Sequence, residues 1–229
     1  MREIVFDTET TGLDPYKGDR IVEIGCVELY NTIPTGQTFH VYLDPERDMP
    51  EEAFRVHGLS REFLTGKPLF AAIADDFLAF IGDDSRLIAH NAEFDMRFIN
   101  AELERLGRGR IAAERIVDTL VLARRKHPGA SNSLDALCAR YGVDTSRRTK
   151  HGALLDSELL ADVYAELIGG RQAALGLTES VAATKDEVIV AIGARPEALP
   201  SAMTTQESEA HAAFVAKMGD KAIWLKYRV

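Results

Sequence analysis

The sequence predicts an α/β fold, a mixed sheet flanked by helices and followed by a C-terminal tail. Three observations support this prediction. Three apolar stretches joined by turn-forming residues open the chain, helical patterns then alternate with two short apolar runs, and the composition changes after Gly170. An antiparallel meander followed by alternating helices and strands is typical of a sheet that combines antiparallel and parallel strands.

The first three strands follow from apolar content and alternation. Arg2 to Asp7 is an apolar run that ends in an acid, Arg20 to Tyr30 is rich in isoleucine and valine, and Gln37 to Leu43 alternates. Between the last two, Asn31 to Gly36 contains proline and glycine and predicts a turn. Short connections of this kind favour antiparallel neighbours, and therefore a three-stranded meander.

The next part of the chain alternates helices with two short strands. Apolar residues at helical spacing, with glycines as stop signals, predict the helices. These helices span Pro50 to His57, Phe70 to Ile81, Glu93 to Leu106, a segment beginning at Asp118, Ser133 to Tyr141, and Leu154 to Ile168. The two short apolar runs, Arg86 to Ala89 and Arg115 to Val117, are predicted as strands.

We predict three segments: a folded domain over residues 1–170, a linker over 171–205 and a C-terminal segment over 206–229. Proline and small polar residues mark the linker. A helix is predicted for Gln206 to Met218. The last ~60 residues carry too little apolar mass for a second core, which favours a tail that orders on a partner; a small packed subdomain is the alternative.

Composition excludes several classes of protein. The 229 residues are 46% hydrophobic and 28% charged, which is ordinary for a globular protein. No apolar run reaches bilayer length and the N-terminus lacks a signal-peptide pattern, so we expect a cytoplasmic protein. The two cysteines, Cys26 and Cys138, lie in apolar patterns and are predicted to be buried thiols rather than a disulfide or zinc site.

The charge is unevenly distributed. The net charge of −9 argues against a protein that coats nucleic acid through bulk charge. The window from Ala123 to His151, however, holds seven basic residues against two acids, a net charge of +5. A local basic face suits brief contact with a phosphate backbone, and a solvated loop surface is the alternative.

Carboxylates recur beside the predicted strands. Asp7 and Glu9, two residues apart on one strand, point to the same face and repel each other unless a cation joins them. Asp95, Asp118 and Asp156 each follow an apolar run, and strand ends are where α/β sheets build their sites. Any one of these three could instead cap a helix, but together with Asp7 and Glu9 they favour a site for a hard divalent cation.

His151 precedes Asp156 by five residues. An imidazole with an ordinary pKa near ~6.5 can accept a proton at neutral pH. On a loop that enters the last helix, this side chain could therefore serve as a base beside the carboxylates. A surface histidine in a basic loop is the alternative.

Three segments resemble, in order, the motifs of the DEDD exonuclease superfamily. They are Phe6-Asp7-Thr8-Glu9-Thr10-Thr11-Gly12-Leu13, His90-Asn91-Ala92-Glu93-Phe94-Asp95 and His151-Gly152-Ala153-Leu154-Leu155-Asp156. The histidine of the last motif is similar to that of the DEDDh branch. Val56 to Leu59 and Asn132 to Tyr141 also resemble the proofreading-subunit family of bacterial DNA polymerase III. The likeness spans about residues 2–170 and implies a ribonuclease H-like fold.

The resemblance implies a 3′–5′ exonuclease that releases 5′-mononucleotides with two divalent cations, Mg²⁺ or Mn²⁺, about 4 Å apart. Asp7, Glu9 and Asp156 would hold one ion, Asp7 would bridge to a second ion supported by Asp95, and His151 would be the general base. Asp118 is not one of the four signature acids of the superfamily, and it would either contact the metal ligands without binding the metal or cap a helix. The substrate-binding residues would be Asp7, Glu9, Thr10, Thr11, Glu52, His57, Asn91, Phe94 and Asp156. Phe94 could stack on a base or simply belong to the core.

The resemblance also implies partners. The substrate would be a single-stranded or frayed DNA 3′ end. Gln172, Leu175 and Leu177, within residues 172–177, resemble a sliding-clamp-binding peptide, although the final hydrophobic position is not aromatic. The C-terminal segment, with Phe214 and Trp224, would dock on the polymerase catalytic (alpha) subunit. A small accessory, theta-like subunit is a further expected partner.

Two other functions compete with this one. A free-standing DEDDh exonuclease acting on RNA ends would use the same catalytic residues, but it would need neither the tail nor the Gln172 peptide. A scaffold without chemistry would have no reason to keep five titratable groups around one cavity.

Overall fold

The computed structural model describes residues 1–148, 150–169 and 203–219. It contains one sheet of five strands in the order β3-β2-β1-β4-β5. The strands are β1 (Arg2–Thr10), β2 (Ile21–Tyr30), β3 (Ile33–Tyr42), β4 (Arg86–Ala89) and β5 (Ile116–Asp118). β1 pairs antiparallel with β2 and parallel with β4, so the predicted mixed sheet is confirmed.

Eight α-helices belong to the described residues. They are α1 (Glu51–His57), α2 (Arg61–Leu64), α3 (Phe70–Ile81), α4 (Ala92–Arg105), α5 (Thr119–Lys126), α6 (Leu134–Tyr141), α7 (Ala153–Leu167) and α8 (Thr205–Lys217). Six of them agree with the sequence predictions to within about one or two residues at both ends, and α5 begins one residue after its predicted start. α2 was not predicted; Ser60 caps this short helix by accepting a hydrogen bond from the Phe63 amide. None of the described helices has the length and apolar character needed to cross a membrane.

The hairpin between β2 and β3 differs from the prediction. The turn consists of Asn31 and Thr32 only, both with positive φ, and β3 already begins at Ile33. Two consecutive residues with positive φ form the tight hairpin turn whose twist matches that of the flanking strands. Pro34 is tolerated inside β3 because this strand lies at the edge of the sheet, where a missing amide donor is harmless.

The two faces of the sheet are covered by different helices. On one face, Ile4 and Phe6 pack in a core with residues of α3 and α4, including Phe77 and Phe98. On the other face, Val5 and its strand neighbours pack against α7, which also packs on α5 and α6. Alternation along β1 therefore places Asp7 and Glu9 on the α7 face of the sheet.

Cys26 and Cys138 are buried free thiols, as predicted. α8 begins with a capping box, in which Thr204 and Glu207 satisfy each other's backbone amides. The chain divides into two compact units, residues 1–176 and 177–229. The predicted clamp-binding residues Gln172, Leu175 and Leu177 lie outside the described residues, as does Trp224.

Candidate active site

The site is built where β1 ends beside the first turn of α7. β1 and β2 pair residue for residue up to Glu9, which lies opposite Glu23, and the register then shifts at Thr10. Such a bulge bends a strand and re-aims its side chains. Asp7 lies opposite Gly25, and the space that a side chain at Gly25 would fill is taken by the backbone of Ala153 and Leu154. The missing side chain therefore lets α7 approach the strand that carries the acids.

Asp156 reaches the site from the first turns of α7. The next residue, Ser157, is fully buried and donates a hydrogen bond of 2.9 Å from Oγ to the carbonyl oxygen of Gly25. This bond fixes the start of α7 on β2. Asp156 is also buried, and its two carboxylate oxygens accept hydrogen bonds from Arg148.

Asp95 approaches β1 from the first turn of α4, the helix that packs on the face of the sheet opposite to α7. Its Oδ1 accepts hydrogen bonds from the Thr8 amide (3.0 Å) and the Thr8 hydroxyl (2.7 Å). Asp95 is thus held to the residue between Asp7 and Glu9. The N-cap residue of α4 is Asn91, whose positive φ of 65° makes the sharp turn from β4 into the helix.

His151 lies on the loop that enters α7. Its Nδ1 is 3.2 Å from Oδ2 of Asp156 and 2.8 Å from Nη2 of Arg148, and its side chain is 48% exposed. The imidazole therefore stands beside the carboxylates with access to water. This is the position expected for a residue that exchanges a proton with solvent or substrate.

The four acids Asp7, Glu9, Asp95 and Asp156 form what we call the carboxylate cluster, and they line one cavity of about 280 Å³ together with His151. Burial raises the pKa of Asp7 well above its ordinary value, and repulsion from Asp95 and Glu9 raises it further. Burial and the Glu23 carboxylate raise the pKa of Glu9 to about 8.

The other two acids of the cluster differ from each other. Burial raises the pKa of Asp95 to about 7, although the hydrogen bonds from Thr8 oppose the shift. For Asp156, burial also acts to raise the pKa, but hydrogen bonds from His151 and Arg148 outweigh it, so that the pKa is lowered. Of the four acids, only Asp156 has a lowered pKa, so an added cation would stabilise the ionised forms of the other three.

These properties fit a divalent metal site. Closely placed carboxylates whose ionised forms repel each other are stabilised by a cation, and hard divalent cations prefer oxygen ligands. Atoms of Glu9, His151 and Asp156 that could serve as ligands all lie within 4.8 Å of one another. Among the described residues, this is the one group of that kind.

A second cavity, of about 530 Å³, adjoins the first. Of the predicted substrate-binding residues, Thr10, Thr11, Glu52, His57 and Phe94 line it, and Glu9 and Phe94 line both cavities. Asn91 lines only the carboxylate cavity. Phe94 is half-buried and packs on Phe98 in the core, so it belongs to the core and to the cavity wall at once.

His57 gives the second cavity a buried polar group. Its Nδ1 accepts a hydrogen bond from the Leu59 amide, which leaves the proton on Nε2. That Nε2 is buried and forms no hydrogen bond of ordinary geometry within the described part of the chain, although the Thr10 backbone interacts with the ring. Burial lowers the pKa of His57, so the ring is neutral at neutral pH. It can offer one donor to a polar group that enters the cavity.

Asp118 stays outside the cluster. Its Oδ1 accepts hydrogen bonds from the amides of Leu120 and Asn91. Asp118 is therefore the N-cap of α5, the second of the roles expected for it.

Three residues of the site were not predicted from the sequence. They are Thr8, which holds Asp95; Glu23, which lies opposite Glu9; and Arg148, which pairs with Asp156. Arg148 belongs to the basic window from Ala123 to His151, and several other cations of that window serve local structure. Lys126, for example, donates to the carbonyl oxygens at the end of α7, and Arg147 pairs with Glu158.

Comparison with known proteins agrees with this geometry. A family model described as Exonuclease (RNase_T) matches residues 4–164. The DNA polymerase III subunit epsilon of Rickettsia felis is 55% identical over 189 residues, which are 81% of this chain and 82% of that protein. The subunit epsilon of Escherichia coli K12 is 49% identical over 177 residues, 74% of this chain and 72% of that protein. The chain belongs to the epsilon family of exonucleases.

Solved structures show the same fold as this epsilon-family chain. The nuclease domain of 3′hExo, a DEDDh family member bound to rAMP, superposes with a TM-score of 0.64 at 17% identity, covering 74% of this chain and 92% of that one. Exonuclease X in complex with 5′ overhanging duplex DNA gives a TM-score of 0.57 at 24% identity, with coverage of 73% and 91%. The predicted ribonuclease H-like fold and DEDDh resemblance are confirmed, and the chain is a nuclease of a divalent-metal-dependent family.

Proposed function

We propose that this chain proofreads for a bacterial replicative DNA polymerase: it removes nucleotides from a DNA 3′ end and releases 5′-mononucleotides. One observation carries the proposal. The carboxylate cluster and His151 share one cavity, and that cavity adjoins a second cavity of a size to accept a terminal nucleotide. The epsilon relatives, which match over most of both chains, support association with DNA polymerase III and with DNA.

The carboxylate cluster would hold two divalent cations, Mg²⁺ or Mn²⁺. Asp7, Glu9 and Asp156 would bind one cation, and Asp95 together with Asp7 would hold a second. When bound, the cations would supply positive charge to the attacking and leaving oxygens of an in-line displacement at phosphorus. Thr8 keeps Asp95 in position with its two hydrogen bonds.

His151 would act as the general base. Its ring stands at the mouth of the carboxylate cavity and is half-exposed, so it can accept a proton from the attacking water and pass it to solvent. For Nε2 to accept, the proton must lie on Nδ1 and be donated to Asp156, 3.2 Å away, and the Arg148 guanidinium, a donor 2.8 Å from Nδ1, must move aside.

The second cavity would take the terminal nucleotide. Phe94 would stack on the base without reading its identity, and Thr10, Thr11, Glu52 and His57 would supply polar contacts. Asn91 would supply a further polar contact from the carboxylate cavity. A cavity that admits one nucleotide requires that the terminal nucleotide leave its pair. A mispaired end unpairs at lower cost, and this difference would favour removal of errors.

The remaining partners follow from the order of segments that we propose: the exonuclease domain 1–170, the linker 171–205 and the segment 206–229. Gln172, Leu175 and Leu177 would bind the sliding clamp. The C-terminal segment would bind the polymerase alpha subunit, and a theta-like subunit would bind the domain.

The test is hydrolysis of matched DNA and RNA oligonucleotides, and of DNA primers with a paired or mispaired 3′ end. We expect DNA to be degraded faster than RNA, and mispaired ends faster than paired ends, with Mg²⁺ or Mn²⁺. Asp7→Ala should abolish both activities, while Asp144→Asn, at an exposed acid outside both cavities, should not change them. Faster hydrolysis of RNA would contradict the role in replication, and equal rates on the two primers would contradict mispair selection.

A further inference from the structure

Arg148 contacts the carboxylate cluster with a bidentate ion pair. Its Nε donates to Oδ1 of Asp156 at 2.6 Å and its Nη2 donates to Oδ2 at 2.7 Å. Both side chains are buried, with exposed fractions of 9% and 4%. Within the described ranges, no other lysine or arginine forms an ion pair with Asp7, Glu9, Asp95 or Asp156. Arg148 is thus the protein's own positive charge at the cluster.

Arg148 occupies the carboxylate of Asp156, which a bound cation would need as a ligand. Both oxygens of Asp156 are engaged by the guanidinium, and Oδ2 is also 3.2 Å from Nδ1 of His151. A divalent cation that approaches Asp156 meets a fixed positive charge a few ångströms away, in a partly buried setting where charge repulsion is poorly screened. The arginine and the cation therefore compete for the same carboxylate.

We propose that Arg148 is an internal counter-ion, which occupies Asp156 when the carboxylate cluster holds no metal and is displaced when a divalent cation binds there. Arg148 would then be a positioning residue that sets the metal affinity of the site. This inference rests on the proposed function, because it assumes that Asp156 is a metal ligand.

Asp135 gives the displaced arginine a second anchor. Nη1 of Arg148 forms an ion pair with Oδ1 of Asp135, which lines the same cavity and is 68% exposed. Asp135 and Asp156 thus hold opposite sides of one guanidinium. Asp135 would keep Arg148 within the cavity wall after Asp156 is released. It would thereby lower the cost of displacement and favour metal binding.

Arg148 would also stabilise the metal-free protein. Ligand atoms of Glu9 and Asp156 lie close together, and the Arg148 charge lowers the pKa of Glu9 against the larger effects of burial and neighbouring acids. Its removal leaves Asp156 buried without its strongest partner, which is destabilising. The substitution should therefore weaken the metal-free fold and strengthen metal binding at the same time.

The experiment is titration calorimetry of Mn²⁺ into the full-length, metal-free protein, without DNA, together with thermal unfolding. For Arg148→Gln we expect a lower unfolding midpoint without metal, and a Kd for Mn²⁺ that is lower by about tenfold, equivalent to about 1.4 kcal/mol. Arg148→Lys keeps the charge but loses the two-pronged contact, and should fall between wild type and Arg148→Gln. Arg147→Gln removes a neighbouring exposed charge and should match wild type.

Asp135→Asn separates competition from a general loss of structure. It should raise the Kd for Mn²⁺ in the wild-type background and leave it unchanged in the Arg148→Gln background, because Asp135 would act through Arg148. A Kd for Arg148→Gln that equals or exceeds that of wild type would overturn the proposal. A wild-type Kd for Arg148→Lys would also overturn the proposal, because it would show that only the positive charge matters and not the bidentate contact with Asp156. If the wild-type protein bound no Mn²⁺, the metal site itself, and the proposed function with it, would fail.

Discussion

Gly25→Ala tests whether the approach of α7 to the sheet positions the active site. Gly25 lies on β2 opposite Asp7, and a Cβ atom built there would stand 2.2 Å from the backbone nitrogen of Leu154 and 2.3 Å from the carbonyl carbon of Ala153. These are backbone atoms, so no side-chain rotation can relieve the clash. α7, which carries Asp156, must move away from the strand that carries Asp7 and Glu9.

The size of the effect follows from these distances. α7 must withdraw by about 1 Å or more before ordinary van der Waals contact is restored. Overpacking of this kind costs about 1–3 kcal/mol, and each kcal/mol lowers the unfolding midpoint of a domain of this size by roughly 2–4 °C. Misplacement of a catalytic group by about 1 Å can cost about 100-fold in rate, so activity should fall far more than stability.

The assay compares kcat on single-stranded DNA with the thermal unfolding midpoint, at a temperature where the variant is fully folded. Gly109→Ala is the matched control, because a Cβ atom there meets nothing within 4 Å and the residue does not have a positive φ. We expect the control to behave as wild type. A Gly25→Ala protein with wild-type rate and midpoint would refute the inference that the missing side chain positions Asp156.

Three further predictions concern the carboxylate cluster. Thr8→Val removes the hydroxyl that donates to Asp95 and should weaken metal binding, measured by Mn²⁺ titration, by about 10- to 100-fold; unchanged affinity would show that Thr8 does not hold the ligand. His151→Gln should lower kcat by about 10²–10⁴-fold with little change in KM, and a KM effect alone would argue against a base. Without metal, the free energy of unfolding should fall as pH rises from about 5 to 8. The pKa values of Glu9 and Asp95 are higher in the folded state than in the unfolded state, so over this range the folded protein binds protons that the unfolded chain has already lost. In unfolding monitored by circular dichroism, the free energy of unfolding of Glu9→Gln should depend less steeply on pH than that of wild type. A wild-type unfolding midpoint that rises with pH would contradict the raised pKa values.

Local patterns predicted most of the fold. Apolar periodicity and stop signals suffice for α3 and α6, because each buries one stripe of its surface and ends at a glycine. The β2–β3 turn was predicted too long because proline and glycine usually mark turns, whereas Pro34 and Gly36 lie in an edge strand that tolerates them. The one-turn helix α2 was missed, since four residues carry too little periodic signal.

The candidate site was predictable wherever a motif carried the chemistry. Asp7, Glu9, Asp95, Asp156 and His151 do come together, as their positions beside strands and helix starts indicated. The supporting residues were not predictable in the same way. Strand pairing and a contact across the site bring in Thr8, Glu23 and Arg148: Glu23 lies opposite Glu9 in the sheet, Thr8 holds Asp95, and Arg148 pairs with Asp156 from a loop. These contacts depend on tertiary packing that no local pattern encodes. The sequence left two roles open for Asp118, support of the metal ligands or helix capping, and the structure shows helix capping.

The two competing functions make different predictions from proofreading. A scaffold without chemistry has no use for four acids gathered in one cavity, three of them with raised pKa values. An exonuclease that prefers RNA would share the cluster, and the identity of this chain to epsilon subunits over most of their length argues against it.

The most direct test of the central claim is a time course of mononucleotide release from single-stranded DNA labelled at its 5′ or its 3′ terminus. Wild type is compared with Asp7→Asn at matched protein and Mg²⁺ concentrations. We predict that the 3′ label appears at once as mononucleotide, that the 5′-labelled strand shortens step by step, and that Asp7→Asn or removal of the metal by a chelator abolishes both. Immediate release of the 5′ label, or undiminished hydrolysis by Asp7→Asn, would contradict a metal-dependent 3′–5′ exonuclease built on the carboxylate cluster.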